Sequence, residues 1–391
     1  MPWGTTTVTD ERIAFVLAYH REVETHQTTM VELCERFGIS RKTGYKSVQR
    51  KQQEGWAGLK DRSRAPLSGK HWIEPEVRQR ILEVKQECND FGAKKILADL
   101  RHREPDRSWP SVSAIHHILE QEGWVQERRT RRHYPHPGTP PTFSASVPNE
   151  EWSTDFKGQF RTTDRRYCYP LTIADTFSRY VLGCESVPTP SFEQTWRVFE
   201  RIFRKYGLPQ WIRSDNGTPF SSPAVRRLSR LSVRWIRLGI QPRLIQPGNP
   251  QQNGRHERMH LTLKQMACKP AAANARAQQK AFDKFQTHFN QRRPHESLNQ
   301  MRPADLYTRS PRAYPSRLPQ IEYAAGIEPR KVNTNGVIKW QRRELFLTEV
   351  LAGEIVGVQP IDDGLWLLLF GRLVLGYYSD RDHILHPEKE A

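Results

Sequence analysis

"QWIRSDNGTPF", residues 210–220, joins a short strand signal to an Asp-Asn-Gly turn, and the reading of Asp215 decides how the middle of the chain folds. Asp, Asn and Gly are the residues turns are made of, so on composition alone the segment needs no function. Its surroundings are unusual for an acid. Between residues 201 and 314 there are 22 Lys and Arg against five acids, Asp215, Glu257, Asp283, Glu296 and Asp305, in a chain whose formal net charge is +18. "QWIR" also ends just before Asp215, which puts this carboxylate past the C-terminal end of a strand, where open α/β sheets bind ligands.

Working outward, strand-like runs occupy 151–160, 167–174 ("YCYPLTIA") and 179–187 ("RYVLGCESV"). A helical run, "SFEQTWRVFERIFRKY" (191–206), follows and is stopped by Gly207 and Pro209. Three hairpin-connected strands, a helix and a further strand predict a mixed sheet with helices packed on it. After "IQPGNPQQNGRHERMHLTLKQM" (245–266) a helical run continues to about 308.

The ends of the chain read differently. In "TTMVELCERFGISRKTGYKSVQR" (28–50) Thr29 and Glu32 are spaced as a capping box, Gly38 supplies a turn and Ser40 caps a second helix. That is a helix-turn-helix layout, in which Arg41, Lys42, Thr43, Tyr45, Lys46 and Arg50 would face DNA. Gly44 departs from it, standing where an apolar residue usually locks the two helices; an ordinary helical hairpin with a solvated basic face is the bland alternative. Residues 74–124 predict three more amphipathic helices, the third running from Ser111 to Gly123, with Ser111 and Ser113 at its start as candidate DNA contacts. His116 and His117 have no ligand-spaced partners and read as surface residues. The segment 126–148 is rich in Pro, Ser and Arg; Arg128, Arg129, Arg131 and Arg132 suit a phosphate backbone, and a plain spacer explains the composition equally well. The tail, 323–391, alternates short strands with "TNG", "DDG" and "FGR" turns, the pattern of a small all-β barrel of the SH3 type. The expected organisation is therefore multidomain: all-α units at 1–66 and 67–125, a basic linker at 126–148, an α/β core at 149–312, and the tail.

Bulk properties narrow the partners. A sequence pI near 9.9 and a mean hydropathy of −0.76 favour a wet surface and a polyanionic ligand, with nucleic acid foremost. "LWLLLF" (365–370) is too short to cross a bilayer, the N-terminus has no basic region leading into an apolar stretch, and a cytoplasmic, nucleoid-associated protein is expected. Five scattered cysteines with no CxxC pair fit a reducing compartment and give no zinc pattern.

Three acids bear chemistry. Asp155 sits in a strand whose burial makes an unpaired charge costly, Asp215 lies at a strand end, and Glu257 opens a helix. Converging, they would make a hard-oxygen site for Mg²⁺ or Mn²⁺. Two such ions about 3.5–4 Å apart would activate an attacking oxygen and stabilise the leaving one.

"WSTDF" (152–156), "SDNGTPF" (214–220), "PGNPQQNGRHERMH" (247–260) and "FNQRRPHESLNQMRPADLY" (289–307), in that order, resemble the catalytic core of the retroviral-integrase superfamily. The specific likeness is to an insertion-sequence transposase of the DDE type, with an RNase-H-like core. The resemblance implies that Asp155, Asp215 and Glu257 are the catalytic, metal-holding triad. It further implies that Lys264 contacts DNA, with Asn253 beside Glu257 in the same role, and that Gly248–Gly254 is a mobile loop. The 41 residues between Asp215 and Glu257 exceed the spacing of many relatives, the excess falling in 226–243. Asp175, in "IADTFSRY", resembles a recurring Asp-x-x-Ser-Arg segment; pairing with Arg179 at a strand end is its simpler reading. Asp283, Glu296 and Asp305 read as structural partners of nearby arginines.

The activity so implied is metal-dependent cutting of a mobile element's ends and joining of the 3′-OH to target DNA. Because two ends must be paired, a homodimer or higher oligomer on double-stranded DNA is expected. A regulator retaining a dead nuclease core is disfavoured by the complete triad, and a hybrid-degrading nuclease by the sequence-reading units.

Overall fold

In the computed structural model, which describes residues 7–62, 73–125, 145–246 and 249–388, helices begin where their caps are encoded. The chain divides into two compact units, Met1–Ile73 and Glu74–Ala391.

In the first unit, Thr7 and Asp10 close a capping box on α1 (Val8–Ala18), and Thr29 and Glu32 close the predicted one on α2 (Met30–Arg36). Gly38 turns the chain at φ 63°, and Ser40 accepts from the Thr43 N–H to open α3 (Arg41–Glu54). Phe15, Val16, Leu33, Cys34, Val48 and Leu59 form the core between these helices. Gly44 is at the closest crossing: a Cβ there would stand 2.6 Å from Cys34 Sγ and 2.9 Å from Phe15 Cζ. The position that departs from the usual apolar lock is thus glycine because no side chain fits.

The second unit opens with α4 (Pro75–Glu87), α5 (Ala93–Arg103) and α6 (Val112–Gln121), packed through Ile81, Ile96, Leu100 and Ile115. These helices dock on the closing segment of the core by ion pairs: Asp90 with Arg293, Glu87 with Arg292 at 2.9 Å, and Lys94 with Glu296 at 2.6 Å.

The central sheet comprises β1 (Glu151–Phe156), β2 (Phe160–Arg161), β3 (Tyr167–Asp175), β4 (Val181–Val187), β5 (Trp211–Ser214) and β6 (Gln241–Leu244). Its order is β2-β3-β1-β5-β6, with β4 also on β3. β1, β3 and β4 pair antiparallel, while β1, β5 and β6 pair parallel, so the sheet is mixed as expected. α7 (Phe192–Tyr206), capped by Ser191 and ended at Gly207 with φ 81°, packs on one face with α8 (Arg230–Arg237). Trp152, Ile173, Phe199, Phe203, Ile212 and Trp235 fill the space between. The other face receives α9 (Gly254–Leu263) and α10 (Ala275–Thr287), through Met259, Leu263, Phe282 and Phe285 against Val181 and Cys184. The 226–243 segment, left without elements in the sequence reading, supplies α8 and the edge strand β6. Glu151, fully buried, ties three strands together by pairing with Arg213 at 2.5 Å and Arg243 at 2.8 Å.

The tail is all-β, as expected. β7 (Glu328–Lys331), β10 (Ile355–Asp362), β11 (Leu365–Phe370), β12 (Leu373–Ser379) and β13 (Leu385–Pro387) make an open path, β13-β12-β11-β10-β7. β8 (Val337–Trp340) and β9 (Arg343–Phe346) pair only with each other. The tail's core extends onto the preceding domain: Leu228 and Val233 pack with Ile338, Val356, Leu368 and Phe370. No helix among the described residues is long and apolar enough to cross a membrane.

Candidate active site

Strand register does most of the assembly. β1 and β5 run parallel with Ser153 opposite Arg213, so two residues further along each strand Asp155 and Asp215 come level. Trp152 and Ile212, one step out of phase, point into the apolar core on the α7 side. The alternation therefore turns both aspartates to the α9 face.

Glu257 arrives from α9, which the sheet seats through two buried histidines. His256 Nδ1 lies 2.9 Å from Ser153 Oγ, and its Nε2 lies 2.6 Å from Thr172 Oγ1. His260 Nε2 meets the same Thr172 hydroxyl at 2.7 Å. Thr172 donates to the Asp155 carbonyl oxygen at 3.0 Å, so its lone pairs accept from both imidazoles, which fixes each as the Nε2–H tautomer. Burial pushes His256 down to about 3, and burial with the neighbouring His256 pushes His260 down to about 2. Both rings are neutral at physiological pH. The 3.7 Å approach of His260 Nδ1 to Asp155 Oδ2 is accordingly a contact of a neutral ring, not an ion pair.

Asn253, at the N-cap of α9, points its amide at Asp155 Oδ2 from 3.5 Å. Glu257 follows four residues later on the same helix face, and Lys264 two turns beyond that, exposed at the start of a wider turn that extends the helix. Glu257 is exposed and within electrostatic reach of Asp155. Burial first, then the charge of Asp215 and more weakly that of Glu257, push the Asp155 carboxyl up to about 7, against the Phe156 amide and Lys157. Asp215 is raised by burial and held back by the Gly217 N–H, which it accepts at 3.2 Å. So Asp215 is both turn and site: the Asp-Asn-Gly turn exists, anchored by Asn216 donating to the Ile245 carbonyl at 2.9 Å.

The three acids share one face and one field, but among the described residues no three His, Cys, Asp or Glu side chains close around a single point at metal-ligand distance. Their chemistry still fits a hard divalent cation. A carboxylate set in which Asp215 and Glu257 oppose ionisation of Asp155 is relieved by one.

The remaining candidates stand as follows. Arg41, Lys42, Thr43, Tyr45 and Lys46 are exposed on α3, with Arg50 half-buried and Thr43 engaged by the Ser40 cap. Ser111 accepts from the Ala114 N–H as the cap of α6, and Ser113 is exposed beside it. His116 and His117 are exposed on the same helix. Arg128, Arg129, Arg131 and Arg132 lie outside the described residues, as does Gly248, the first residue of the Gly248–Gly254 loop. The described part of that loop is tied by Gln252 to Gln246 at 2.9 Å. Asp175 does not pair with Arg179: buried, it accepts from the Asn149 N–H, the Ser178 N–H and the Ser178 hydroxyl at 2.6–2.8 Å. Arg302 pairs with Asp305, Glu296 with Lys94 instead of an arginine, and Asp283 accepts from Gln279 at 2.9 Å. The sequence reading passed over His256 and His260, although both stand in "RHERMH" one turn apart, the spacing of a buried helix stripe.

Two models described as "Integrase core domain" match residues 145–250 and 238–303, and one described as "Helix-turn-helix domain" matches 11–66. An uncharacterised 39.2 kDa protein of insertion element IS476 from Xanthomonas euvesicatoria is 28% identical over 58% of this chain and 63% of its own length. The chain thus spans less than two thirds of that relative. An uncharacterised 31.7 kDa protein of insertion element IS407 from Burkholderia multivorans is 26% identical over 58% of this chain and 79% of its own. Among solved structures, the HTLV-2 integrase catalytic core domain in complex with magnesium is 17% identical, with a TM-score of 0.33 over 42% of this chain and 99% of that one. The chain thus carries integrase-core matches across 145–303 and a helix-turn-helix match at 11–66, and it is similar to insertion-element proteins of the retroviral-integrase superfamily.

Proposed function

We propose that this protein is a DNA transposase that binds the terminal inverted repeats of a mobile element, cleaves its ends and joins the 3′-OH to target DNA. The observation that carries this reading is that the charges of Asp215 and Glu257 both oppose ionisation of the buried Asp155, within a strongly cationic domain. In this reading Asp155 and Asp215 hold the metal from adjacent strand ends, and Glu257 completes the set from α9. When bound, two Mg²⁺ or Mn²⁺ ions supply charge neutralisation at the attacking and leaving oxygens of an in-line phosphoryl transfer.

The chain's own groups supply the rest. Asn253 orients the Asp155 carboxylate, and the neutral His256–Thr172–His260 cluster holds α9 at the height that brings Glu257 to it. Lys264, two turns beyond Glu257 on nearly the same helix face, contacts a substrate phosphate. α3 reads the terminal repeats through Arg41, Lys42, Thr43, Tyr45, Lys46 and Arg50. Ser111, Ser113 and the linker arginines 128, 129, 131 and 132 contact the backbone. Two ends must meet for joining, so the working form is a homodimer or larger assembly on DNA.

The test is to incubate the purified protein with labelled element ends, a plasmid and Mg²⁺, and to sequence the junctions. Wild type is expected to yield joined products. Asp155→Asn is expected to abolish joining while end binding remains close to wild type. Joining by Asp155→Asn at the wild-type rate would refute the assignment of this carboxylate.

A further inference from the structure

On the opposite side of α9 from Asp155 lies a cavity of about 480 Å³ that the proposed chemistry does not use. It is bounded by α9, the turn between β3 and β4, the closing segment around His295, and α5. Four of its cations, Lys95, Arg179, Arg255 and Arg258, form no ion pair or side-chain hydrogen bond with the described residues.

The acids in the cavity wall offset them only in part, and neither forms an ion pair with them. Asp175 is saturated by Asn149 and Ser178, and Glu296 is engaged by Lys94 at 2.6 Å. Two other arginines of the wall are already used, Arg213 on Glu151 and Arg293 on Asp90. The surplus is therefore local and positive. Arg179 Nε and His295 Nε2 are also shut off from solvent without a hydrogen-bond partner, a state that buried polar atoms rarely keep unless something else binds them. Burial and Arg258 push Lys95 down to about 8 against the opposing charge of Glu296, and burial and Arg255 push Arg179 down to about 10 against that of Asp175.

We infer that this cavity binds a phosphodiester of duplex DNA, gripping the backbone behind the catalytic helix. Guanidinium groups suit this, since their planar donor pairs match two phosphate oxygens at once. The volume lies within the range of about 300–1,000 Å³ usual for ligand pockets, which leaves room for the sugars flanking a phosphate. Arg255 and Arg258 flank Glu257 in the chain, and Asn253 and His256 border both the cavity and the acids. A strand held here would be fixed relative to the carboxylates by one rigid helix. The inference rests on the proposed DNA substrate, though not on strand joining.

The test uses the full chain in EDTA, so that only binding is read. Acylation of Lys95 by an amine-reactive ester is followed by mass spectrometry without ligand, with a 30-bp duplex, with inorganic phosphate and with a nucleoside triphosphate. Duplex is expected to slow Lys95 labelling at concentrations where the two small anions do not. In parallel, the salt dependence of duplex binding is measured for wild type and for Arg179→Gln/Arg258→Gln, with unfolding midpoints compared to verify folding. Losing two phosphate contacts should lower the log–log slope by about 2. Protection by the small anions but not by duplex would overturn the DNA assignment in favour of a small-anion site. Unprotected Lys95 with an unchanged slope would overturn the site altogether. If the protein joined no strands, these binding readouts would be unaffected, so failure of the transposase reading and failure of this one can be told apart.

Discussion

Asp155 is held where ionisation is opposed, while the proposed function needs it ionised to hold a cation. Its ordinary value of 3.8 is raised to about 7 in the folded protein, mainly by burial and by Asp215. In metal-free solution the folded state therefore keeps the Asp155 proton over a range where the unfolded chain has lost it. Stability falls as pH rises between about 4 and about 7 and is then level with respect to this group. Asp155→Asn, which cannot ionise, is expected to raise the metal-free unfolding midpoint above pH 7 and to leave it nearly unchanged below pH 4. A pH-independent effect of the substitution would refute this account. Gly44 is the other residue whose surroundings leave no latitude. Gly44→Ala places a methyl group against Cys34 and Phe15, at a cost of about 1–3 kcal/mol in thermal unfolding. Cys34→Ala should recover part of that loss by making room, and an unchanged midpoint for Gly44→Ala would contradict the crossing geometry.

At the scale of elements, α9 is the component that decides whether three acids become one site. Its height and rotation on the sheet are set by a single hydroxyl shared between two imidazoles. Thr172→Val keeps the shape but leaves the Nε2–H of His256 and of His260 buried without an acceptor, a loss of about 2–5 kcal/mol in denaturant unfolding. Thr172→Ser should retain most of the stability. Equal stability of the valine and serine variants would mean that the apolar residues Met259 and Leu263 alone seat the helix. The strands show how far local pattern reaches. The runs read at 167–174 and 179–187 appear as β3 and β4, and "QWIR" ends in β5 one residue before Asp215. α8 and β6 were not read because "RRLSRLSVRWIRLGIQPR" carries an arginine every few residues, which hides an apolar stripe on which Leu231, Val233 and Trp235 are buried.

At the scale of the molecule, the compact units part at Ile73, and α4, α5 and α6 fall in the same unit as the central sheet. Removing residues 1–73 is expected to abolish preference for terminal repeats while the remaining chain stays folded and cuts DNA without selectivity. Removing 1–125 should instead destabilise the core, because Asp90, Glu87 and Lys94 would no longer pair with Arg293, Arg292 and Glu296. Circular dichroism melts of the two truncations, with a comparison of specific and nonspecific duplex binding, decide the matter. Equal melts would show that the three helices are dispensable to the core.

Caps, turns and periodicity are local. The sequence by itself therefore determined that Thr29, Ser40 and Ser191 would start helices, that the central region would be a mixed α/β sheet, and that Asp155, Asp215 and Glu257 would be its notable acids. What depends on groups far apart in the chain was decided only in three dimensions. The parallel register puts Asp155 level with Asp215, and the shared Thr172 hydroxyl brings two histidines across to the sheet. The tail's core, built mostly from its own strands, extends to Leu228 and Val233 far earlier in the chain. Burial and long-range hydrogen bonding reward particular pairs of distant side chains, and no window of neighbouring residues contains both members of such a pair.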